Sequence, residues 1–284
     1  MSVQPHAIDF DRFSAQGNLF CIVNAHDVLT PLDPDDIKRW AGPTHARLFD
    51  QLLIIDPSVD TQQPCPVAIY NADGSTAEQC GNGMRALAFW LMRLGDQAHH
   101  TLQPSAGVVE ILGIQADSNP IDRPTRAWVN VRLPGPQGQQ HRDHWPNTPA
   151  LAAVRLSLGN PHLVLQWPHP PSVEECFDVG ARLQTHADFD GGVNVGLAHA
   201  SRPSHDHAID LRVYERGVGP TQACGSGACA AASALAGLGA AQAPVTVAQP
   251  GGSLVVDWAG DAGATDVVEL AGDVDWIEQG QFQP

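Results

Sequence analysis

The sequence predicts an α/β chain made of two similar lobes, each built from short strands and a buried helix. Two nearly repeated phrases support this prediction, Glu78–Ala86 and Gln222–Ala230, and each holds a Cys-Gly-x-Gly motif followed by an apolar, helix-like stretch. Their cysteines, Cys80 and Cys224, lie 224 − 80 = 144 positions apart in a chain of 284 residues. With 27 Gly and 23 Pro, the composition also favours a turn-rich fold of many short strands.

Short strands are predicted where β-branched or aromatic residues are bounded by Gly, Pro, Asp or Asn. In the first half they cover residues 19–24, 52–55, 66–70, 108–114 and 128–133, and in the second half residues 154–158, 163–167, 193–198, 208–214, 245–247 and 254–258. Helices are predicted over Asp33–Arg47, Met84–Leu94 and Val173–Leu183, and after Cys224. The first of these has Asp33 as a suitable N-cap and a proline in its first turn. Strands precede a helix in both halves, which favours an internal duplication.

The polar, breaker-rich segment Pro134–Gln140 marks the predicted boundary between the lobes. The N-terminal lobe then covers residues 1–135 and carries Cys80, and the C-terminal lobe covers residues 136–269 and carries Cys224. We expect a C-terminal strand within residues 270–284 to return to the first lobe.

The charge and the apolar segments of the chain exclude several classes of function. A formal net charge of −16 argues against binding of nucleic acid or of an anionic membrane, because both require basic patches. The first residues lack the basic and apolar regions of a signal peptide, and the run Ala228–Ala241 is too short and too weakly hydrophobic for a membrane span. We therefore expect a cytoplasmic protein.

The six cysteines form no Cys-x-x-Cys pair, and four of them are expected to be reduced core residues: Cys21, Cys65, Cys176 and Cys229.

Each repeated phrase places a thiol at the predicted start of a helix. The positive end of the helix dipole and its unpaired N–H groups favour a thiolate there, and the same N–H groups bind carboxylates or phosphates. The glycines beside Cys80 and Cys224 would allow close approach of a ligand, whereas burial of both thiols in the core is the structural alternative. Neither phrase has the Gly-Lys-Ser/Thr ending of a P-loop. One thiol in each half suggests an acid–base pair that acts on one anionic substrate.

Polar turns precede both cysteines by about nine residues. In the first half, a strand ending at Tyr70 runs into Asn71-Ala72-Asp73-Gly74, and in the second half, a strand ending at Tyr214 runs into Glu215-Arg216-Gly217. Either turn alone is typical of a simple Asx turn or a surface ion pair. Their matched placement at strand ends, beside helix starts, favours the rim of a binding site.

Three more polar residues, Asn160, His162 and Asn194, follow glycine-containing turns. The structural alternative is that the asparagines form a turn and a strand cap, and that the histidine, one of 13, is structural. No metal site is predicted, because the segment His205–His207 has no third ligand at zinc-like spacing.

Taken together, these motifs resemble those of the diaminopimelate epimerases, a family of pyridoxal-independent amino-acid racemases, over nearly the whole chain. The resemblance is carried by Gly17-Asn18, Asn71-Ala72-Asp73-Gly74, Cys80-Gly81-Asn82-Gly83, Gly159-Asn160-Pro161-His162, Val193-Asn194-Val195, Arg212-Val213-Tyr214-Glu215-Arg216-Gly217, the segment Ala223–Ala230 and Pro250-Gly251-Gly252. It implies two pseudo-symmetric α/β (α+β) lobes, each a mostly antiparallel sheet wrapped around a central helix, with the active site in the cleft between the lobes.

The resemblance also implies a role for each site residue. Cys80 and Cys224 would be the catalytic acid and base. The residues that would bind substrate are Asn18, Gln51, Asn71, Gly81, Asn82, Asn160, His162, Asn194, Glu215, Arg216, Gly225 and Ser226. The backbone N–H groups at the two helix starts would hold the carboxylate at the reacting carbon. The far carboxylate and amine would be held by Asn71, Asn160, Asn194 and Arg216.

The implied activity is interconversion of LL- and meso-2,6-diaminopimelate by two-base proton transfer, for lysine and peptidoglycan precursor synthesis. No cofactor and no metal are implied, and the single lysine of the chain, Lys38, is predicted to lie on an exposed helix face, which is unlike a Schiff-base lysine. The implied partner is a small diamino diacid, with no nucleic acid and no membrane. We also expect a homodimer.

The sequence departs from the family pattern at two places. Family members usually carry Asp where this chain has Leu19, and a Gly-x-Gly loop where it has Ala46-Arg47-Leu48. Three alternatives stay open: a racemase similar to histidine racemases, one similar to proline racemases, and a catalytically silent amino-acid-binding homologue. The two departures favour the first of these. Proline has no second amino-acid end to occupy Arg216, and binding alone requires neither thiol.

Overall fold

A computed structural model describes residues 7–29, 31–43, 46–96, 98–117, 123–200, 208–258 and 267–283. Its first elements are β1 Ile8–Ala15, β2 Asn18–Asn24, α1 Pro34–Ala41, β3 Gln51–Ile55, β4 Cys65–Asn71, α2 Gly81–Arg93, β5 Thr101–Gln103, β6 Val109–Ala116 and β7 Arg126–Pro134. They are followed by β8 Gln137–Arg142, β9 Ala152–Ser157, β10 Pro161–Gln166, α3 Val173–Leu183, β11 Asn194–Ala200, β12 Ala208–Glu215, β13 Gly219–Pro220, α4 Gly225–Gly237, β14 Val245–Gln249, β15 Gly252–Asp257 and β16 Val267–Phe282.

The chain divides into two compact units, Met1–Val131 with Asp273–Pro284, and Arg132–Gly272. In the first unit, successive strands from β1 to β6 pair in the order antiparallel, parallel, antiparallel, parallel, antiparallel. In the second unit, β9, β10, β11, β12, β14 and β15 pair in the same order. In each unit, a helix lies in the chain segment that connects the two strands of a parallel pair. These helices are α1 and α2 in the first unit, and α3 and α4 in the second. The predicted α/β fold of two pseudo-symmetric lobes is thus confirmed, and the repeated pairing order supports a duplication.

Helices α2 and α4 are the central helices of their units. Every residue of α2 except Met92 is buried, and α4 is buried over Gly227–Leu235. Helix α2 contacts β1, β2, β3 and β6, while α4 contacts β9, β10, β11, β12, β14 and β15. A helix that is apolar on all sides must be enclosed, which is why the apolar runs after the two cysteines become central helices. Among the described residues, every helix is too short or too polar to span a membrane.

The helix predicted over Asp33–Arg47 is too long. The structure ends α1 at Ala41, because Gly42 adopts a positive φ of 75° and Pro43 follows it. Its beginning is as predicted, since the Asp33 side chain accepts the N–H of Asp35. Helix α3 covers the predicted range, and α2 begins at Gly81, three residues earlier than predicted.

The strand predictions missed β1, β5, β8 and the two-residue β13. Strand β1 alternates apolar and acidic residues over Ile8–Asp11, and acidic residues are depleted in strands. Strand β5 has only three residues, and β8 is polar throughout, with most of its side chains exposed. Strand β8 is held by backbone pairing with β9, which leaves no hydrophobic pattern to detect.

Candidate active site

Both cysteines of the repeated phrases are helix N-caps, as predicted. Cys80 precedes α2 and its Sγ accepts the N–H of Gly83 at 3.4 Å. Cys224 precedes α4 and its Sγ accepts the N–H of Gly227 at 3.3 Å. This bond is usually made by an oxygen, and here it brings a sulfur next to the unpaired N–H groups of the first helical turn. The two helix starts therefore combine a thiol with an environment that binds anions.

The residue that donates to each sulfur is a glycine with little room for a side chain. A Cβ on Gly227 would lie 2.9 Å from Cγ2 of Val213 and 3.2 Å from Sγ of Cys224. A Cβ on Gly83 would lie 3.2 Å from Cδ1 of Leu53. Each thiol thus packs closely against the first turn of its helix. The space around the glycine is smaller at Gly227, in the second unit, than at Gly83.

Three predicted site residues of the first unit lie at one edge of its sheet. Asn18 begins β2 and Gln51 begins the parallel strand β3, while Asn71 ends the antiparallel strand β4. Gln51 Nε2 donates to Asn71 Oδ1 at 2.9 Å. Asn82, the second residue of α2, donates through Nδ2 to Asn18 Oδ1 at 2.7 Å. The start of α2 therefore lies beside this row of amides.

The second unit repeats this arrangement with different side chains. His162 of β10 and Asn194, the first residue of the parallel strand β11, are neighbours in register. Glu215 ends the antiparallel strand β12, and the next backbone N–H, that of Arg216, donates to Asn194 Oδ1 at 2.9 Å. Asn160 immediately precedes β10. These residues share the edge at which α4 begins.

A chain of polar contacts connects His162 with the thiol of Cys224. His162 Nε2 lies 3.0 Å from Asn160 Oδ1, and Asn160 Nδ2 lies 3.5 Å from Ser226 Oγ. Ser226 Oγ in turn lies 3.5 Å from Cys224 Sγ. Burial, and to a lesser extent the charge of Arg216, lower the pKa of His162 to about 3. A neutral imidazole that carries its proton on Nε2 donates to Asn160, so that the amide nitrogen of Asn160 faces Ser226.

Arg216 and Glu215 provide charged groups at the sheet edge of the second unit where α4 begins. Arg216 is exposed, and its Nη1 donates to the carbonyl of Gly191 at 3.2 Å. Its side chain crosses Gly192, where a Cβ would lie 3.1 Å from Cδ of the arginine. Glu215 accepts a hydrogen bond from Thr221 Oγ1 at 2.6 Å. A planar guanidinium anchored in this way suits a bidentate carboxylate.

Sequence reasoning missed two residues that contact these groups. Gln249 accepts the backbone N–H of Cys224 through Oε1 at 2.9 Å, and nothing in the sequence marks this glutamine. Arg85 is fully buried in α2 and donates to Asn82 Oδ1 at 2.7 Å. A signal for Arg85 was present, since it is a charged residue within the apolar run Met84–Met92.

The two departures from the family pattern lie together in the structure. The N–H of Leu19 donates to Asp50 Oδ2 at 2.9 Å, and the N–H of Asp50 donates back to the carbonyl of Leu19 at 2.8 Å. Arg47 forms an ion pair with Asp50 Oδ1 at 3.4 Å. The glycine-free loop is thereby tied to the start of β2, and Gln51 keeps its place as the first residue of β3.

The remaining cysteines are buried, which confirms that they are core residues. Burial raises the pKa of Cys65 and of Cys176 to about 11, so both remain protonated thiols. The described part of the chain brings together no three His, Cys, Asp or Glu side chains that could hold a metal ion. The segment His205–His207 lies outside the described residues.

Comparison with known sequences identifies the family of the chain. The family model described as diaminopimelate epimerase matches residues 154–277. A diaminopimelate epimerase of Coxiella burnetii is 33% identical over 267 residues, which cover 89% of this chain and 92% of that protein. A diaminopimelate epimerase of Xanthomonas campestris pv. campestris is 34% identical over 280 residues, which cover 92% of this chain and 93% of that protein.

Solved structures show the same fold at much lower sequence identity. A phenazine biosynthesis protein of the PhzF family from Bacillus anthracis has a TM-score of 0.68 and 14% identity, with 97% of this chain and 99% of that chain covered. A probable proline racemase from Agrobacterium radiobacter K84 has a TM-score of 0.64 and 13% identity, with 96% of this chain and 92% of that chain covered. These structures support the two-lobe fold alone, whereas identities of 33% and 34% over about nine tenths of the chain show membership. This chain therefore belongs to the diaminopimelate epimerase family.

Proposed function

We propose that the chain is a cofactor-independent epimerase that interconverts LL- and meso-2,6-diaminopimelate, with Cys80 and Cys224 as the catalytic acid and base. One observation carries the proposal: each unit of a chain from this family presents a thiol as a helix N-cap, beside a row of amides at the same sheet edge. Binding alone would require no thiol at either place, which disfavours a catalytically silent homologue.

The proposed reaction is a proton transfer at one carbon. One thiolate removes the α-proton and becomes a thiol, while the other thiol delivers a proton to the opposite face and becomes a thiolate. The configuration is inverted and no proton is gained or lost overall. The unpaired N–H groups of Gly81 and Asn82, and of Gly225 and Ser226, would hold the adjacent carboxylate and stabilise the charge that moves onto it.

A diamino diacid fits the polar groups better than a monoacid does. Arg216, Asn160, Asn194 and Asn71 offer more hydrogen-bonding capacity than the single carboxylate and amine of proline require. In a closed site, polar groups without partners would each cost about 1–3 kcal/mol. The glutamine at the start of β3, which donates to Asn71 Oδ1 at 2.9 Å, adds a further polar group in the first unit.

The other properties of the proposed enzyme follow from the sequence and the family. Lys38 lies on the exposed face of α1, where it pairs with Asp35 at 3.0 Å, so it is a poor candidate for a Schiff base with pyridoxal phosphate. We propose a cytoplasmic homodimer that serves lysine and peptidoglycan precursor synthesis. We propose domain boundaries at residues 1–135 and 136–269, with residues 270–284 returning to the first domain.

Proton exchange in heavy water tests the proposal. LL-diaminopimelate incubated with the enzyme in D2O should lose its α-proton signal in NMR spectra and yield deuterated meso-diaminopimelate. The double variant Cys80→Ala/Cys224→Ala is the matched control and should show neither change. Faster exchange of histidine or proline would overturn the substrate assignment. Saturable binding of diaminopimelate without exchange would favour the silent homologue.

A further inference from the structure

Arg85 is a fully buried cation in the central helix of the first unit. Its Nη2 donates to Gln16 Oε1 at 2.5 Å and to Asn82 Oδ1 at 2.7 Å, and its Nη1 donates to the carbonyl of Asp273 at 3.4 Å. All of these acceptors belong to the first unit. The guanidinium is therefore held by residues before β2, within α2 and within β16.

A guanidinium can only donate hydrogen bonds, so it fixes which end of a neighbouring amide faces it. Asn82 must turn its oxygen towards Arg85, and its amide nitrogen then faces Asn18, whose Oδ1 accepts at 2.7 Å. Because the oxygen of Asn18 is used in this bond, its amide nitrogen lies on the other side of the group. The buried charge of Arg85 thus sets the orientation of two amide groups, first that of Asn82 and then that of Asn18.

This direction matters because of where the two amides lie. Asn82 is two residues after Cys80 in the first turn of α2, and Asn18 is the first residue of β2 at the same sheet edge. An amide that presents N–H groups binds a carboxylate, whereas one that presents its oxygen repels it. If both amides rotated by half a turn, their mutual hydrogen bond would survive, but Asn18 would present its oxygen. Among the side-chain hydrogen bonds of the described residues, the contact of Asn82 with Arg85 is the one that distinguishes the two arrangements.

We propose that Arg85 is a positioning residue, which orients Asn82 and through it Asn18, so that Asn18 presents its N–H groups to a carboxylate of the substrate. The inference rests on the proposed function, because it assigns Asn18 to substrate binding. Gln16 makes a separate pair of hydrogen bonds: its Oε1 accepts from Arg85, and its Nε2 donates to the carbonyl of Asp273 at 3.0 Å. These bonds of Gln16 support the guanidinium and make no contact with Asn18.

A double-mutant cycle on diaminopimelate turnover tests this relay, meaning the orientation of Asn18 by Arg85 through Asn82. Arg85→Met should lower kcat/KM by about tenfold or more, mostly through KM, because a hydrogen bond to a charged group is lost. In an Asn18→Ala background the same substitution should change kcat/KM by less than about twofold, since the two residues act in series. Gln16→Leu is the matched control, and it should lower the melting temperature while leaving KM within about threefold.

A second pair of variants keeps the test decisive if Arg85→Met fails to fold. Lysine at this position still only donates, whereas glutamine can donate or accept. Arg85→Lys should therefore keep a KM near that of the wild type, and Arg85→Gln should raise it. Equal KM values for these two variants, or multiplicative effects in the cycle, would overturn the relay. A wild-type enzyme without activity on diaminopimelate would instead refute the proposed function.

Discussion

The two helix starts share a backbone plan and differ in the side chains that surround the thiol. In the first unit, Cys80 is partly exposed and the next turn carries Asn82 and the buried Arg85. In the second unit, Cys224 is buried, its Sγ lies 3.5 Å from Ser226 Oγ, and alanine is the commonest residue of α4. The pairing order of the strands is the same in both units, so the shared topology places each cysteine at a helix start.

The comparison shows two ways to orient an amide near a thiol. In the first unit, a permanently charged guanidinium fixes Asn82. In the second unit, a neutral imidazole, His162, contacts Asn160, and burial keeps that imidazole uncharged. The first arrangement is insensitive to pH, because arginine does not titrate in proteins, whereas the second depends on a group that can titrate.

The largest expected effect tests whether the two thiols are equivalent in catalysis. Cys80→Ser and Cys224→Ser should each lower kcat by about 10³-fold, because each removes one partner of the acid–base pair. Serine is a good N-cap, so both variants should fold as well as the wild type. Epimerisation of diaminopimelate, followed by NMR, measures the loss. Near-normal turnover by either variant would show that its thiol is only a structural cap.

A smaller effect should separate the two units by their packing. Gly227→Ala should destabilise the protein by about 1–3 kcal/mol, because the new Cβ would lie 2.9 Å from Cγ2 of Val213. Gly83→Ala should cost less, since its nearest contact is 3.2 Å from Cδ1 of Leu53. Urea denaturation gives both free energies of unfolding. Equal costs would indicate that the second helix start is no more tightly packed than the first.

The control for this comparison is Gly237→Ala at the end of α4. A Cβ there would lie 3.5 Å from Oε1 of Gln139, which is an ordinary contact distance. Alanine is preferred over glycine in helices by about 1 kcal/mol, so this variant should be at least as stable as the wild type.

Much of the fold could be predicted because its signals are local. The central helices follow glycine-flanked cysteines and are apolar on all sides, and α3 has a capping box formed by Ser172 and Glu175. Strand β8 could not be predicted, because its residues are polar or charged and it is held by backbone pairing with β9. Strand β1 was readable in principle from the alternation of apolar and acidic residues over Ile8–Asp11. The early end of α1 was readable in principle from Gly42 and the proline that follows it.

The site was predictable as a set of residues but not as a set of contacts. The spacing of Cys80 and Cys224 indicated two helix starts, and both are helix N-caps in the structure. The contacts of Arg85 with Gln16, and of Gln249 with Cys224, join residues 69 and 25 positions apart, so no local pattern contains them. A buried polar residue acquires its role from such long-range partners, and only the structure supplies them.

A pH-dependent effect tests the neutral imidazole of the second unit. The pKa of His162 is about 3 in the folded chain and about 6.5 when unfolded, so only the unfolded state gains a proton as the pH falls below 6.5. The free energy of unfolding should therefore decrease by roughly 1 kcal/mol per pH unit below 6.5 through this group, with no contribution above it. His162→Gln, which can still donate to Asn160, should lack this slope in urea titrations between pH 7.5 and about 4.5. His144→Gln, at an exposed site, should retain the wild-type slope. If His162→Gln and the wild type lose stability in parallel on acidification, the imidazole of His162 is not held neutral, and the contrast with Arg85 fails.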